Sequence, residues 1–321
     1  MKNIPGILLC TVIGAVSIYL AKIIPIGAVT IAILLGCLIA NIFNLPKKTS
    51  VGAAFSEKIF LPTAIALMGL SLNYSVLASL GLLTIFLIIS AIIVTISTSV
   101  FIGRKFGVNK DLCLLIGIGN AVCGSSAIGA AQAVIKTDER NVGLSVAVIN
   151  LLGTLGIFLL PALCRFVLNF SNIKSGLLLG TGLQAIGQVT AAGFSIGNDT
   201  GEIAVIVKMC RILMITPLVL FLNLKKGAAS EEGIKLPRIP AFIIIFILLS
   251  VVGSTEFIPQ SHLTILKSFS KIFLITAMSA IGMKITFRDI ASGGKTALKL
   301  GITSWACQIS FICLMIIIFW R

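Results

Sequence analysis

Apolar residues run through this chain in long blocks separated by short polar corners, and nowhere is a strand-like alternation of apolar and polar positions sustained. Eleven blocks are long enough to predict helices, at about 4–24, 26–43, 59–73, 76–102, 111–135, 141–168, 175–197, 202–223, 240–257, 264–285 and 297–319. The corners are brief. Lys22 to Pro25 divides the first two blocks, Pro46, Lys47 and Lys48 follow the second, and the longest polar stretch is KKGAASEEGIKLPRIP from Lys225 to Pro240. That stretch is too short and too charged for a second domain. Residues 1–321 therefore read as a single transmembrane domain with pseudo-halves of about 1–168 and 175–321.

Two blocks depart from a plain lipid-facing helix. Gly117 to Ile135, GIGNAVCGSSAIGAAQAVI, carries four glycines among Asn120, Cys123, Ser125 and Ser126, and Gly180 to Gly197, GTGLQAIGQVTAAGFSIG, embeds Gln184, Gln188 and Thr190. Such composition predicts broken or re-entrant helices. A break at membrane depth frees backbone N–H and C=O groups, and it is tolerated only where protein or a water-filled cavity supplies partners. In secondary transporters the partner is a substrate or coupling ion, held by half-helix ends. The plainer alternative is a seam of small residues between helices.

An internal repeat is visible as well. ALMGLSLNYSVLASLG at 66–81 aligns with SAIGMKITFRDIASGG at 279–294, matching Gly69 to Gly282, Ala78 to Ala291, Ser79 to Ser292 and Gly81 to Gly294. The copies end the third and tenth blocks, an odd separation that places them in opposite orientation, as inverted-topology repeats require. The two interrupted blocks, the fifth and seventh, are parallel by the same count. Either one of them is a re-entrant hairpin or a block divides differently.

Composition narrows the class. A mean hydropathy of +1.14 with 11% charged residues excludes an ordinary soluble domain, and blocks of this length exclude an outer-membrane barrel, so the expectation is an all-α integral membrane protein. The net charge of +15 is what a Lys/Arg excess in cytoplasmic loops produces. Without basic runs interleaved with stacking aromatics it does not point to nucleic acid. The eight cysteines form no C-x-x-C pair and the single His262 lies by a Pro-containing loop, so neither a metal nor a cofactor is expected. The N-terminal block, with no A-x-A-like cleavage site, reads as the first membrane helix.

If the N-terminus is cytoplasmic, 17 of the 25 Lys and Arg residues fall on its side, from Lys2, Lys47 and Lys48 to Lys295 and Lys299. The other side holds Lys22, Lys136, Arg140, Lys267, Lys271 and Arg321. The bias predicts N-in, C-out in a bacterial inner membrane.

The remaining two cations, Lys208 and Arg211, interrupt the apolar run AVIVKMCRILMITPLVLFL three residues apart, on one helix face. A cation at membrane depth usually faces a bundle interior or water; Lys208 is near enough to an end that snorkelling is the plain alternative. All ten carboxylates lie in or beside predicted loops. A buried carboxylate is the usual ion-exchanging group of a cation carrier, whereas buried cations with helix N-termini favour an anion. The expected ligand is a small anion, bound by Asn120, Cys123, Gly124, Ser125, Ser126, Gln184, Gln188, Thr190, Lys208 and Arg211, with Na+ or H+ as the coupling ion. The rivals are a sodium-coupled organic-anion symporter in which Asn120 or Gln188 helps hold the cation, and a membrane enzyme with Cys123 or Ser125 as nucleophile. The enzyme lacks an evident base. A channel would want a continuous polar lining.

The motifs GNAVCGSSAIGAA (119–131), GQVTAAGFSI (187–196) and VKMCRILMITP (207–217), with the paired ALMGLSLN and SAIGMKIT stretches, resemble the YeiH/YadS sulfate exporter family of bacterial membrane proteins over nearly the whole chain. That family is distantly similar to the cation:proton antiporter and bile-acid:sodium symporter group. The resemblance implies inverted repeats, crossing broken helices, a panel used for homodimer contacts or as a scaffold, and an anion carrier of the sulfate or organosulfonate class. One departure stands out. Family members commonly look like H-E-x-x-Q-V or H-D-x-x-Q-V where this chain has Gln184, Ala185, Ile186, Gly187, Gln188 and Val189, so a proton-coupling role of that pair does not carry over, and Gln188 does.

Overall fold

In the computed structural model, residues 4–23, 28–43, 46–71, 74–225, 241–254, 260–284 and 294–320 are described, and among them there is no strand. In chain order the helices are α1 (Ile4–Leu20), α2 (Ala28–Ile42), α3 (Lys47–Met68), α4 (Tyr74–Lys105), α5 (Lys110–Ala121), α6 (Ser125–Ile135), α7 (Glu139–Ala162), α8 (Asn172–Gly182), α9 (Ile186–Ile196), α10 (Asn198–Leu213), α11 (Ile215–Lys225), α12 (Ala241–Ser254), α13 (Gln260–Met283) and α14 (Lys295–Phe319). Among the described residues six segments are long and apolar enough to cross a membrane: Thr49–Met68, Gly81–Lys105, Arg140–Val167, Asn198–Leu224, His262–Met283 and Lys295–Phe319. The predicted blocks are mainly helical where described, the eighth turning at Met214 between α10 and α11. The fifth and seventh are interrupted, at 122–124 and 183–185. The protein is an all-α integral membrane protein.

The chain divides into two compact units, Met1–Leu80 with Thr190–Glu202 and Ile239–Arg288, and Gly81–Val189 with Ile203–Arg238 and Asp289–Arg321. Each interleaves pieces of both sequence halves. The join at residue 81 is marked in the backbone: Gly81 sits at φ 53°, ψ −171° inside α4, so the straight apolar helix starts there.

In the first unit the repeat is written into the packing. Gly36 of α2 lies on the Ser279–Gly282 backbone of α13, and Gly282 in turn lies on the Ile33 backbone of α2. The reciprocal contact joins Gly253 of α12 to the Leu70 backbone that follows α3, while Gly69 meets Phe246 of α12. A helix of the first half thus packs on the second half's α13, and a helix of the second half on the first half's α3. A two-fold axis relating inverted repeats requires this exchange, and Gly69 and Gly282 are the matched pair of the sequence repeat. Residues 72–73 and 285–293 of the two copies lie outside the described residues. The unit is tied further by Ser270 Oγ donating to the Ala64 carbonyl at 2.8 Å, Ser279 Oγ to Cys10 at 2.9 Å, and stacking of Phe60 on Phe273.

The third helix starts well before the predicted residue 59. Its first turns, KKTSVGAAFSEK, are not apolar enough to register in a hydropathy pattern. They are held by small residues, because Gly6 of α1 rests on Thr49, Gly52 and Ala53. Close backbone approach substitutes for apolar area, as it does generally between membrane helices.

Candidate functional site

The site is built in the second unit from two helix breaks. α5 ends because Val122 leaves the helical region at φ −122°, ψ −93°, and Gly124 follows at φ 71°, ψ −129°, where a side chain is disfavoured. The Gly124 carbonyl then accepts from the N–H groups of Ala127 and Ile128, and α6 begins. α8 ends because Leu183 is extended. α9 starts three residues later, with Gln188 Oε1 accepting the Ala185 N–H at 2.8 Å, the reach-back that a capping box makes. Gln188 lies directly against Gly153 of α7, which leaves it no room for a Cβ.

The two breaks are neighbours. A Cβ on Gly124 would stand 3.6 Å from that of Gln184, and Gln184 Nε2 donates to Asn120 Oδ1 at 2.9 Å. Two helix C-termini, of α5 and α8, therefore come together at buried depth. Each brings main-chain carbonyls without helical partners and about half a negative charge.

Four side chains meet those carbonyls. Arg211 of α10 donates from Nε to Ala121, from Nη1 to Thr181 and Leu183, and from Nη2 to Asn120. Lys208, one turn earlier, donates to Val122 at 2.5 Å and to Leu183 at 2.8 Å. From α14, Trp305 Nε1 donates to Gly182 at 2.9 Å, and Gln308 Nε2 to Thr181 and Asn120 at 3.1 and 3.3 Å. The pattern is doubled: a cationic pair spaced i, i+3 on one helix and a neutral pair spaced i, i+3 on another, both closing the same two helix ends. Lys208 is 0% and Arg211 1% exposed. Lys208 is thus wholly inside rather than snorkelling. Neither cation has a carboxylate partner among the described residues; main-chain oxygen stands in for one.

The predicted residues separate into groups. Asn120, Gln184, Gln188, Lys208 and Arg211 converge on the breaks and are buried. Gly124 forms one break. Cys123 is half-buried there, whereas Ser125 and Ser126, at the N-terminus of α6, are exposed. Thr190 is buried farther along α9, in the part assigned to the first unit. Trp305 and Gln308 did not emerge from the sequence reading. Their signal was present, a Trp and a Gln three apart within the apolar run of α14, the same spacing that marked Lys208 and Arg211.

Comparison with known proteins follows this geometry. The model of a family described as "Conserved hypothetical protein 698" matches residues 5–301. The chain belongs to this family. Among its relatives, the UPF0324 membrane protein CPE0129 of Clostridium perfringens is 35% identical, over 98% of this chain and 96% of that protein. The UPF0324 inner membrane protein YeiH of Escherichia coli K12 is 31% identical, over 94% and 90%. Among solved structures, the sodium proton antiporter MjNhaP1 of Methanocaldococcus jannaschii covers 95% of this chain and 100% of its own, at 14% identity and a TM-score of 0.31.

In this family member the C-terminal ends of the broken helices are closed while their N-terminal partners are left differently provided. The N-terminus of α9 has its own Gln188 cap; Gly124, before α6, makes no side-chain cap, and the Ser125 and Ser126 hydroxyls beyond it are exposed. Ser125 and Ser126 open the N-terminus of α6, the positive end of its dipole. That is the end of a helix at which anions are held.

Proposed function

We propose that the protein is a secondary transporter that moves a small anion, of the sulfate or organosulfonate class, across the membrane by alternating access. The observation that carries this reading is the charge at the crossing. Arg211, with Lys208 beside it, brings positive charge to the crossing, the two helix C-termini they cap offset part of it, and the N-termini of α6 and α9 add to it. The crossing keeps an excess of positive charge in a buried, low-dielectric place, and an anion is the ligand that balances it. In this reading Ser125, Ser126 and the α6 N-terminus take the anion directly. Lys208 and Arg211 supply field from behind the break, through the helices they cap. The enzyme alternative is weakened, because His262 lies on α13 of the first unit and neither Cys123 nor Ser125 has a base among its described hydrogen bonds.

The test is uptake of radiolabelled sulfate, ethanesulfonate and small carboxylates into proteoliposomes, with and without imposed sodium and proton gradients. Saturable flux of at least one anion is expected, and the gradient that accelerates it identifies the coupling ion. Absence of flux for every anion under every gradient would contradict the proposal.

A further inference from the structure

Three amide side chains at the crossing are held by one end and left without a partner at the other. Gln184 Nε2 is fixed on Asn120 Oδ1, and Gln308 Nε2 on the main-chain oxygens of Asn120 and Thr181. What remains is Asn120 Nδ2, a donor, with Gln184 Oε1 and Gln308 Oε1, two acceptors; all three are buried and have no hydrogen-bond partner among the described residues. Exchanging nitrogen and oxygen in both Asn120 and Gln184 would preserve their mutual bond and still leave one donor and one acceptor. Ser304 Oγ, one turn before Gln308 on the same side of α14, is also buried and without a partner among the described residues. An orphaned buried polar atom costs roughly 1–3 kcal/mol, and native interiors hold few of them. Several around a single asparagine call for a ligand.

Resting on the transport reading, we propose that Asn120, Gln184 and Gln308 recognise a hydroxyl group on the transported anion, so that the substrate is a hydroxy-substituted organic anion rather than bare sulfate. The complement decides the chemistry. Sulfate at neutral pH offers acceptors only, so it could satisfy Asn120 while setting its charge against two amide oxygens. A metal cation would suit the oxygens, yet it would leave the Asn120 donor unmet and would lie beside Arg211, which shares the Asn120 main-chain oxygen with Gln308. A hydroxyl accepts from Asn120 and donates to a glutamine, and a site built to bond a hydroxyl discriminates strongly against the analogue that lacks it.

Isothermal titration of the full-length protein in detergent with ethanesulfonate and with 2-hydroxyethanesulfonate tests this, since the two probes share charge and headgroup. Wild type should bind the hydroxylated probe at least tenfold more tightly. Gln308→Met, which keeps the volume and removes the amide, and Gln184→Leu should each reduce that preference to less than threefold. The wild-type comparison stands even if a variant fails to fold. Equal affinities in wild type would overturn the inference and leave anion transport intact, as would a preference retained in both variants. The same holds for 2-hydroxyethanesulfonate binding that needs sodium and disappears in Gln308→Met, which would assign the oxygens to a cation. Failure of sulfate and both sulfonates to bind or be transported would overturn both readings.

Discussion

Arg211 directs four of its five N–H groups to main-chain oxygens of two different helices. Thr181 and Asn120 have Gln308 as a second donor and Leu183 has Lys208, so among the described residues Ala121 depends on Arg211 alone. Arg211→Ala should therefore destabilise by about 4 kcal/mol, through one orphaned carbonyl, a large cavity and the loss of charge on two helix ends. A drop in thermal unfolding temperature of the purified protein, preceding any loss of flux per folded molecule, would register it. An unchanged unfolding temperature would contradict the capping role. Gly153→Ala offers a milder probe: its methyl would displace Gln188 from the Ala185 N–H, costing about 1 kcal/mol, as loss of a helix cap does. At this scale the sequence was only half readable. A Lys and an Arg inside an apolar run announce themselves by their cost, but main-chain carbonyls carry no letter, so what the two cations hold could not be read. Trp305 and Gln308 were missed because neutral donors in a membrane helix are common enough to pass without remark.

The elements were more legible. Run length encodes a membrane helix, and glycines clustered with small polar residues encode its interruption, so both breaks were expected at the segments where Val122 to Gly124 and Leu183 to Ala185 now form them. The start of α3 was not legible, since small residues at Gly52, Ala53 and Ser56 pack by proximity and not by hydrophobicity. Glycine contacts give a paired prediction. Gly282→Ala would push a methyl into the Ile33 backbone, where nothing flexible can yield, and should cost about 1–3 kcal/mol. Gly129→Ala, in α6 with open space around it, should stabilise by roughly 0.5–1 kcal/mol. Opposite shifts in unfolding temperature are expected; a loss of stability from both would mean that α6 is packed more tightly than its surroundings indicate.

For the whole molecule, membership of the two units is a property of three-dimensional contact that no local pattern records, although Gly69 and Gly282, matched in the sequence repeat, both lie at the helix exchange of the first unit. Orientation rests on charge. If the N-terminus is cytoplasmic, as the Lys and Arg distribution predicts, alkaline phosphatase fused after Arg321 should be active and a fluorescent protein there dark; the reverse would overturn the assignment. The central claim is that the positive end of α6, not the capped cations, takes an anion. Its most direct measurement is saturable ethanesulfonate flux in proteoliposomes carrying wild type, Ser126→Ala or Ser126→Asp. A carboxylate at a helix N-terminus is compatible with the helix but repels a bound anion. The account predicts that Ser126→Ala stays within about threefold of wild type and that Ser126→Asp loses at least tenfold in apparent affinity at unchanged stability. Wild-type flux in Ser126→Asp would contradict it.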